Sequence, residues 1–466
     1  SHGGLGPERF RAVAPSAASR DQSHARFSHR TGGIIQGRGR RRLRPPYNRV
    51  MSTSPTLPTR RLALLLGGLA MFGPFSIDTI FPAFPQIGAQ FGADKLAMQQ
   101  TISVYLLAYA AMSLVHGPLS DALGRKRVIL AGLGVFALAS VGCALATDLS
   151  QLLSCRALQG LSAGVGLIVG RAVIRDVLHG DDAQRLMSQV SMIFGIAPAV
   201  APILGGWLLG WHRWPAIFLF LAAFAVLLAV AVWLRLPETH LPAVRLPLQA
   251  GSLARGYLGI ARNPRFLRLS AAAALNFGAL FLYISSAPAF VLDLLGLHET
   301  QFGWFFIPMI SGMMLGAFVS GRAAGRVDGK HMAGIGFACC GLSMLVNVGY
   351  NLLASQPDLP WAVLPMSLNA FGIALAFPII TLAILDMYPG QRGSASSLQA
   401  FIGLLVNAAI AGLLSSLLSG SGLALAFGAS AFAFAGWLFW WWETRDTQAS
   451  LRVPPAASAL EPTDQM

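Results

Sequence analysis

Gly117-Pro-Leu-Ser-Asp-Ala-Leu-Gly-Arg-Lys-Arg127 is the stretch on which the reading of this chain turns. It is a short charged turn between two long apolar runs. Asp121 stands beside Arg125, Lys126 and Arg127, while Gly117 and Gly124 permit a tight turn. On either side the apolar residues run for about 20 positions, the length that crosses a bilayer as a helix. A charged turn held between two such runs predicts a membrane protein with a loop at its surface.

The rest of the chain agrees. It has 466 residues, 55% hydrophobic and only 11% charged, against roughly 25% charged in soluble domains. Apolar runs recur at 62–83, 98–117, 127–147, 151–173, 187–210, 215–235, 268–292, 301–321, 332–353, 361–384, 395–418 and 422–442. The expected fold is an all-α membrane protein of twelve transmembrane helices. Pro198, Pro202 and Pro308 lie inside these runs, which membrane helices tolerate when neighbours re-satisfy the backbone.

Charge sets the orientation. The net charge of +15 would suit a nucleic-acid binder, but its distribution reads as basic loops on one membrane face. With alternating loops, Lys95 and Arg213 fall on one side. Arg60, Arg61, Arg125, Lys126, Arg127, Arg171, Arg175, Arg185, the run from Arg235 to Arg268, Arg322, Arg326, Lys330, Arg392 and Arg445 fall on the other. Both termini are expected in the cytoplasm, with the protein multi-pass in a bacterial-type inner membrane and no nucleic acid among its partners.

The expected organisation is a basic N-terminal tail over 1–60, a six-helix bundle over 61–236, a linker over 237–267, a second six-helix bundle over 268–443 and a C-terminal tail over 444–466, both tails disordered. Residues 1–50 differ from everything that follows, and Met51 reads as the natural start. The second half echoes the first: Gly321-Arg322-x-x-Gly325-Arg326-x-Asp328 lies between runs eight and nine, as the opening stretch lies between runs two and three. Two bundles related by an axis along the membrane normal are a known transporter plan.

Several chemistries are excluded. Cys143, Cys155, Cys339 and Cys340 lie within apolar runs and read as packing residues, with no metal-ligand spacing. Gly164, Gly166 and Gly170 follow no strand, so they form no phosphate loop. No Walker pattern and no nucleophile–base set appears. The chain is expected to be no enzyme and to need no cofactor, its transport being driven by protons.

Asp78 is the most informative single residue. It lies deep in the first run with no basic neighbour in sequence. An ionised carboxylate there costs roughly 3 kcal/mol or more, and burial favours the neutral acid. Such a group suits the exchange of a proton against a substrate. A position nearer the membrane surface, or a helix cap before Pro82, is the plainer reading. Arg156, a turn or two inside the fourth run and followed by Gln159, is a second buried charge; snorkelling to headgroups is its plainer reading. An Asp78–Arg156 pair is compatible with the sequence. Tyr105, Tyr109, Gln159, Asn276, Tyr283 and Asn369 are candidates to line a central cavity for bulky amphipathic ligands.

The opening stretch resembles the major facilitator signature Gly-x-Leu-x-Asp-(basic)-x-Gly-Arg-(basic), met at Gly117, Leu119, Asp121, Gly124, Arg125 and Lys126. Ala122 stands where the family has a basic or large polar residue. Further stretches narrow the resemblance: Gly73 to Pro85 with Asp78, Gln99 to Tyr109, Arg156 to Gly160, Arg171 to Asp176, Ala197-Pro198-x-x-Ala201-Pro202-x-x-Gly205-Gly206, and Gly393 to Ser397. Together they are similar to the drug:proton antiporters of the bicyclomycin/chloramphenicol-resistance (Bcr/CflA) subfamily. The resemblance covers residues 62 to 442. It implies the major facilitator fold and proton-coupled export of drug-like small molecules by a monomer. It also implies proton coupling through Asp78 and Arg156, a cytoplasmic gate at Asp121 and Arg125 that latches the two bundles, and inter-bundle packing at Pro198, Pro202, Gly205 and Gly206. Export or uptake of a sugar, amino acid or peptide is the alternative, and a non-transporting sensor or scaffold a weaker one.

Overall fold

The structure is a computed structural model. It describes residues 59–452, apart from 179, 246–248, 324–325, 355 and 390. The readings of residues 1–58, of Met51, of Gly325 and of 453–466 lie outside the described residues.

Among the described residues, twelve helices are long and apolar enough to cross a membrane: Arg60–Phe91, Lys95–Leu123, Arg125–Ala144, Leu149–Val177, Met192–Trp211, Pro215–Arg235, Pro264–Ser285, Gly303–Ala323, Gly329–Leu353, Leu364–Met387, Arg392–Leu418 and Gly422–Arg445. They are numbered here as spans one to twelve. Local chemistry fixes their ends. Asp94, Asp148, Asn263 and Asp328 each accept a hydrogen bond from a backbone N–H of the turn they precede, the role of an N-cap. Gly124, at φ +102°, makes the sharp corner between spans two and three that a residue with a Cβ resists.

The first half packs span one on span five, two on four and three on six; the second packs seven on twelve, nine on ten and eight on ten. The halves meet through span two against span eleven and span five against span eight. This is the expected all-α plan of two bundles. The loops divide it into a basic end, where Arg125, Lys126 and Arg127 lie, and a far end, where Asp94, Asp148 and Trp214 lie.

Three boundaries differ from expectation. Span seven begins at Pro264, not at 268, because Asn263 caps it and Pro264 suits the first helical position. The stretch expected as linker contains a helix, Ala250–Ala261. The last helix runs on to Arg452, so the stretch expected as a tail from 444 is helical for its first nine residues. Its first turns there continue a tryptophan-rich surface on which Arg445 stacks, 4.0 Å from the Trp441 ring.

Candidate functional site

Asp78 is the last residue of the first helical segment, Thr59–Asp78, and is only 4% exposed. Beyond it the backbone turns through Thr79 and Ile80 and resumes as a short 3-10 turn, Phe81–Ala83, and a helix, Phe84–Phe91. Pro82 and Pro85 in this stretch lack the N–H groups that would continue the first helix. The carboxylate is thus placed at a break in a membrane helix. No hydrogen bond or ion pair joins its side chain to another described residue.

Arg156 is fully buried in span four, and its partners are all neutral. Its Nε donates to the Thr101 carbonyl at 3.1 Å. One terminal nitrogen donates to the Ser76 carbonyl at 3.2 Å, the Ser76 hydroxyl at 3.1 Å and Gln159 Oε1 at 2.8 Å. The other terminal nitrogen has no partner among the described residues. The guanidinium carbon lies 4.4 Å from the Tyr105 ring centre, close enough for a cation–π contact. Gln159 passes the network on, its Nε2 donating to Ser140 at 2.7 Å. Snorkelling is therefore not what Arg156 does: it ties spans one, two, three and four together in the interior. Nor does it pair with Asp78; its anchor is Ser76, two residues earlier.

The six cavity candidates are buried, three in the first bundle and three in the second. Tyr105 donates to the Gly73 carbonyl at 3.1 Å, and with Tyr109 and Gln159 it packs inside the first bundle. Tyr283 accepts from Asn347 Nδ2 at 2.8 Å in the second bundle. Asn276 and Asn369 flank Cys340 there, and neither Asn369 side-chain atom is partnered among the described residues.

At the basic end, Arg125 is the hub. Its side chain meets Asp121 at 2.5 Å, Asp176 at 3.0 Å and the Ser120 hydroxyl at 2.6 Å. Its backbone N–H donates to Glu238 Oε1 at 2.9 Å, and Thr239 donates to Asp176 at 3.0 Å. Lys126 stays outside the carboxylate cluster and donates to the Trp233 carbonyl at 2.8 Å. These links join spans two, three and four to the segment after span six, all in the first half. The latch between bundles that the resemblance implied is not made by Asp121 and Arg125 here. The contact that does cross comes from Tyr257 of the linker helix, whose hydroxyl donates to the Leu114 carbonyl of span two at 2.8 Å and bonds Ser397 of span eleven. Gly117 has open space about it.

Span five carries Pro198 and Pro202 within its helix and presents Gly205 and Gly206 to different neighbours. A Cβ on Gly205 would run into the Thr79 carbonyl, beside Asp78, and one on Gly206 into the Glu299 carbonyl of the second half. The far end is closed by bonds between halves. Lys95 meets Asp293 at 2.7 Å. Gln99 donates to the Ser285 carbonyl, Gln100 to that of Gly412 and Ser103 to that of Ala408, each at 2.9 Å. A cavity of about 220 Å³ is lined by Lys95, Gln99 and Asp293 of this seal together with Phe84, Met98 and Leu292.

Sequence reasoning missed Asp176 and Glu238 as partners of Arg125, Tyr257 as the crossing contact, and Glu443. The last is only 4% exposed and meets Arg265 at 2.5 Å and Arg268 at 3.2 Å. A carboxylate within a tryptophan-rich membrane end was the available signal for Glu443; nothing local marks the others.

Comparison with known proteins gives the same reading. The family model of the Major Facilitator Superfamily matches residues 64–409 and 269–465. The bicyclomycin resistance protein homolog of Haemophilus influenzae is 28% identical over 76% of this chain and 88% of its own length. An uncharacterized MFS-type transporter of Bacillus subtilis, YdgK, is 31% identical over 75% of this chain and 87% of its own. The chloramphenicol resistance protein of Pseudomonas aeruginosa is 27% identical over 76% and 84%. Among solved structures, a bacterial homolog of the human lysosomal transporter Spinster, inward-facing and occupied, superposes with a TM-score of 0.66 at 16% identity, over 84% of this chain and 98% of its own. With matched sequence running through both bundles and the twelve-helix fold in place, the chain is a multi-pass membrane transporter and belongs to the Major Facilitator Superfamily.

Proposed function

We propose that this chain exports drug-like or amphipathic small molecules in exchange for protons, across the inner membrane, with its basic end in the cytoplasm. The observation that carries the reading is Asp78, a carboxylate buried at a helix break with no ionic partner among the described residues. A buried acid without a counter-ion is held most cheaply as the neutral form. It takes up a proton when it is shut away and releases it when a cationic or strongly hydrogen-bonding substrate or water reaches it. Arg156, caged by neutral acceptors, holds Ser76, two residues before Asp78, through this exchange.

The resistance proteins among the relatives support drug-like cargo, and the basic loops support the orientation. One chain supplies both walls of the pathway, so a monomer suffices. No cofactor is called for beyond the coupled proton. In everted vesicles holding an imposed proton gradient, adding a transported drug should discharge the gradient, and Asp78→Asn should abolish the discharge at normal expression. Unchanged discharge in that variant would remove Asp78 from the mechanism.

A further inference from the structure

Asp78 and Arg156 lie well inside the first bundle, whereas Arg125 and its carboxylates lie at the basic end. Span two joins the two regions, and its buried face is polar. Tyr105, Tyr109, Ser113, His116 and Ser120 recur at intervals of four, four, three and four, the spacing of one helix face. Tyr105, Ser113 and Ser120 are fully buried, and His116 and Tyr109 nearly so. At 1.5 Å per residue the stripe is about 22 Å long. Packing of membrane helices needs small residues, not a histidine and two tyrosines.

The stripe meets both sites. Asp78 lies within electrostatic reach of Tyr105. At the other end, the Ser120 hydroxyl accepts from Arg125. Tyr105 and Tyr109 meet edge to face, ring centres 6.4 Å apart. Gly164 of span four makes room for the next pair: a Cβ there would stand 2.5 Å from the Tyr109 ring and 3.1 Å from His116 Nδ1. Ser113 and Ser120 turn their hydroxyl protons onto their own helix, at the Ala110 and Gly117 carbonyls, leaving oxygen lone pairs along the stripe.

Within the stripe, the neutral imidazole of His116 is the side chain that carries an acceptor nitrogen and a donor N–H on separate atoms. It is 3% exposed, and its Nδ1 has no partner among the described residues. The Leu161 backbone of span four bears on the ring. The groups about it are Tyr109 on its own helix, Arg171 of span four bearing on Tyr109, Arg125 of span three through Ser120, and Tyr257 of the linker helix at Leu114, bonded in turn to Ser397 of span eleven. Asp121 and Asp176 meet Arg125 beyond Ser120, and among the described residues no carboxylate bonds the ring, which suits a carrier and not a store.

We infer that His116 relays protons between Asp78 and the basic end along the polar stripe of span two, with water completing the chain. In each passage Nδ1 gains a proton from the Asp78 side. The ring then turns and gives the same proton up towards Ser120, the other ring nitrogen keeping its own, so the neutral ring is restored in its starting tautomer. One proton enters and one leaves. The inference rests on the reading of Asp78 as the proton site.

The test follows the carbonyl stretch of protonated Asp78, identified by its absence in Asp78→Asn, by infrared spectroscopy after a pH jump on the purified full-length chain. In His116→Phe and His116→Gln the band should appear at least about tenfold more slowly while reaching the wild-type amplitude. Added imidazole should restore the rate in His116→Gly. Unchanged rates in the Phe and Gln variants would overturn the relay. So would a loss of amplitude or of thermal stability in both, which marks a packing role. If Asp78 shows no such band in the wild type, the proton-site reading fails and the relay falls with it.

Discussion

Arg156 holds Ser76 twice through one guanidinium nitrogen, at the carbonyl and at the hydroxyl, and so fixes the backbone two residues before Asp78. The buried cation thereby acts on the carboxylate through the position of its backbone. Arg156→Gln leaves the Thr101 and Ser76 acceptors without a donor. With hydrogen bonds to a buried charge contributing about 1.5–3 kcal/mol each, the variant should lose about 3 kcal/mol or more of stability, read as a lower unfolding midpoint in detergent. Arg156→Lys keeps the charge but reaches fewer acceptors, and should fall between the two.

Asp176→Asn should cost more than Asp121→Asn. Both meet Arg125, but Asp176 is 20% exposed and also takes the Thr239 hydroxyl, whereas Asp121 is 42% exposed and four residues from Arg125 on the chain. Exposed pairs contribute about 0–1 kcal/mol, and more shielded ones more. Thermal unfolding of the two variants checks the order; equal losses would deny it.

Joining residues 95 and 293 should stop transport. Their ion pair is exposed at both ends, 69% and 51%, so breaking it by Lys95→Ala should change stability by less than about 1 kcal/mol. A cysteine at each position, linked by a short bis-thiol reagent in a background lacking Cys143, Cys155, Cys339 and Cys340, should instead hold the far end shut. Drug export should vanish on linking, and a reducible linker should return it.

Tyr257→Phe tests the crossing contact at the basic end. Burial holds the Tyr257 phenol above its usual range, so its neutral, donating form is the one favoured by folding. A folded value above the unfolded one means that the bond is fully present below the unfolded value and is lost as pH rises through the folded one. The bond therefore survives from mildly acid to mildly alkaline pH. The substitution should alter the rate of drug efflux by the same factor across that window; a factor that varies through neutrality would contradict the assignment.

Much of this was legible in the residues. Asp78 and Arg156 stand out because a charge in an apolar run has a cost that must be answered somewhere, and the twelve runs are long enough to announce themselves. What could not be read was the answer to each charge. Arg156 finds backbone carbonyls from spans one and two, and a carbonyl has no sequence signature. Arg125 finds Asp176 and Glu238, 51 and 113 positions away, in segments that look like ordinary loops. The polar stripe of span two was visible in part, as Tyr105 and Tyr109. His116, next to the signature turn, was hidden by it.

Gly205 and Gly206 are neighbours, yet one rests on Thr79 of the first half and the other on Glu299 of the second. Successive residues on a helix point about 100° apart, and the backbone cylinder between them is only about 2.3 Å in radius. Span five is therefore a bearing with no clearance on either side. A shift of the chain at Thr79, such as a change of state at Asp78 would impose, cannot be absorbed by a side chain, because there is none. It must push the helix bodily, and the surface it is pushed against belongs to the other half. On the reading of Asp78 as the proton site, that site and the face shared with the other half are separated by the thickness of one backbone, so a shift at one would reach the other by direct mechanical contact and not by signalling over a distance.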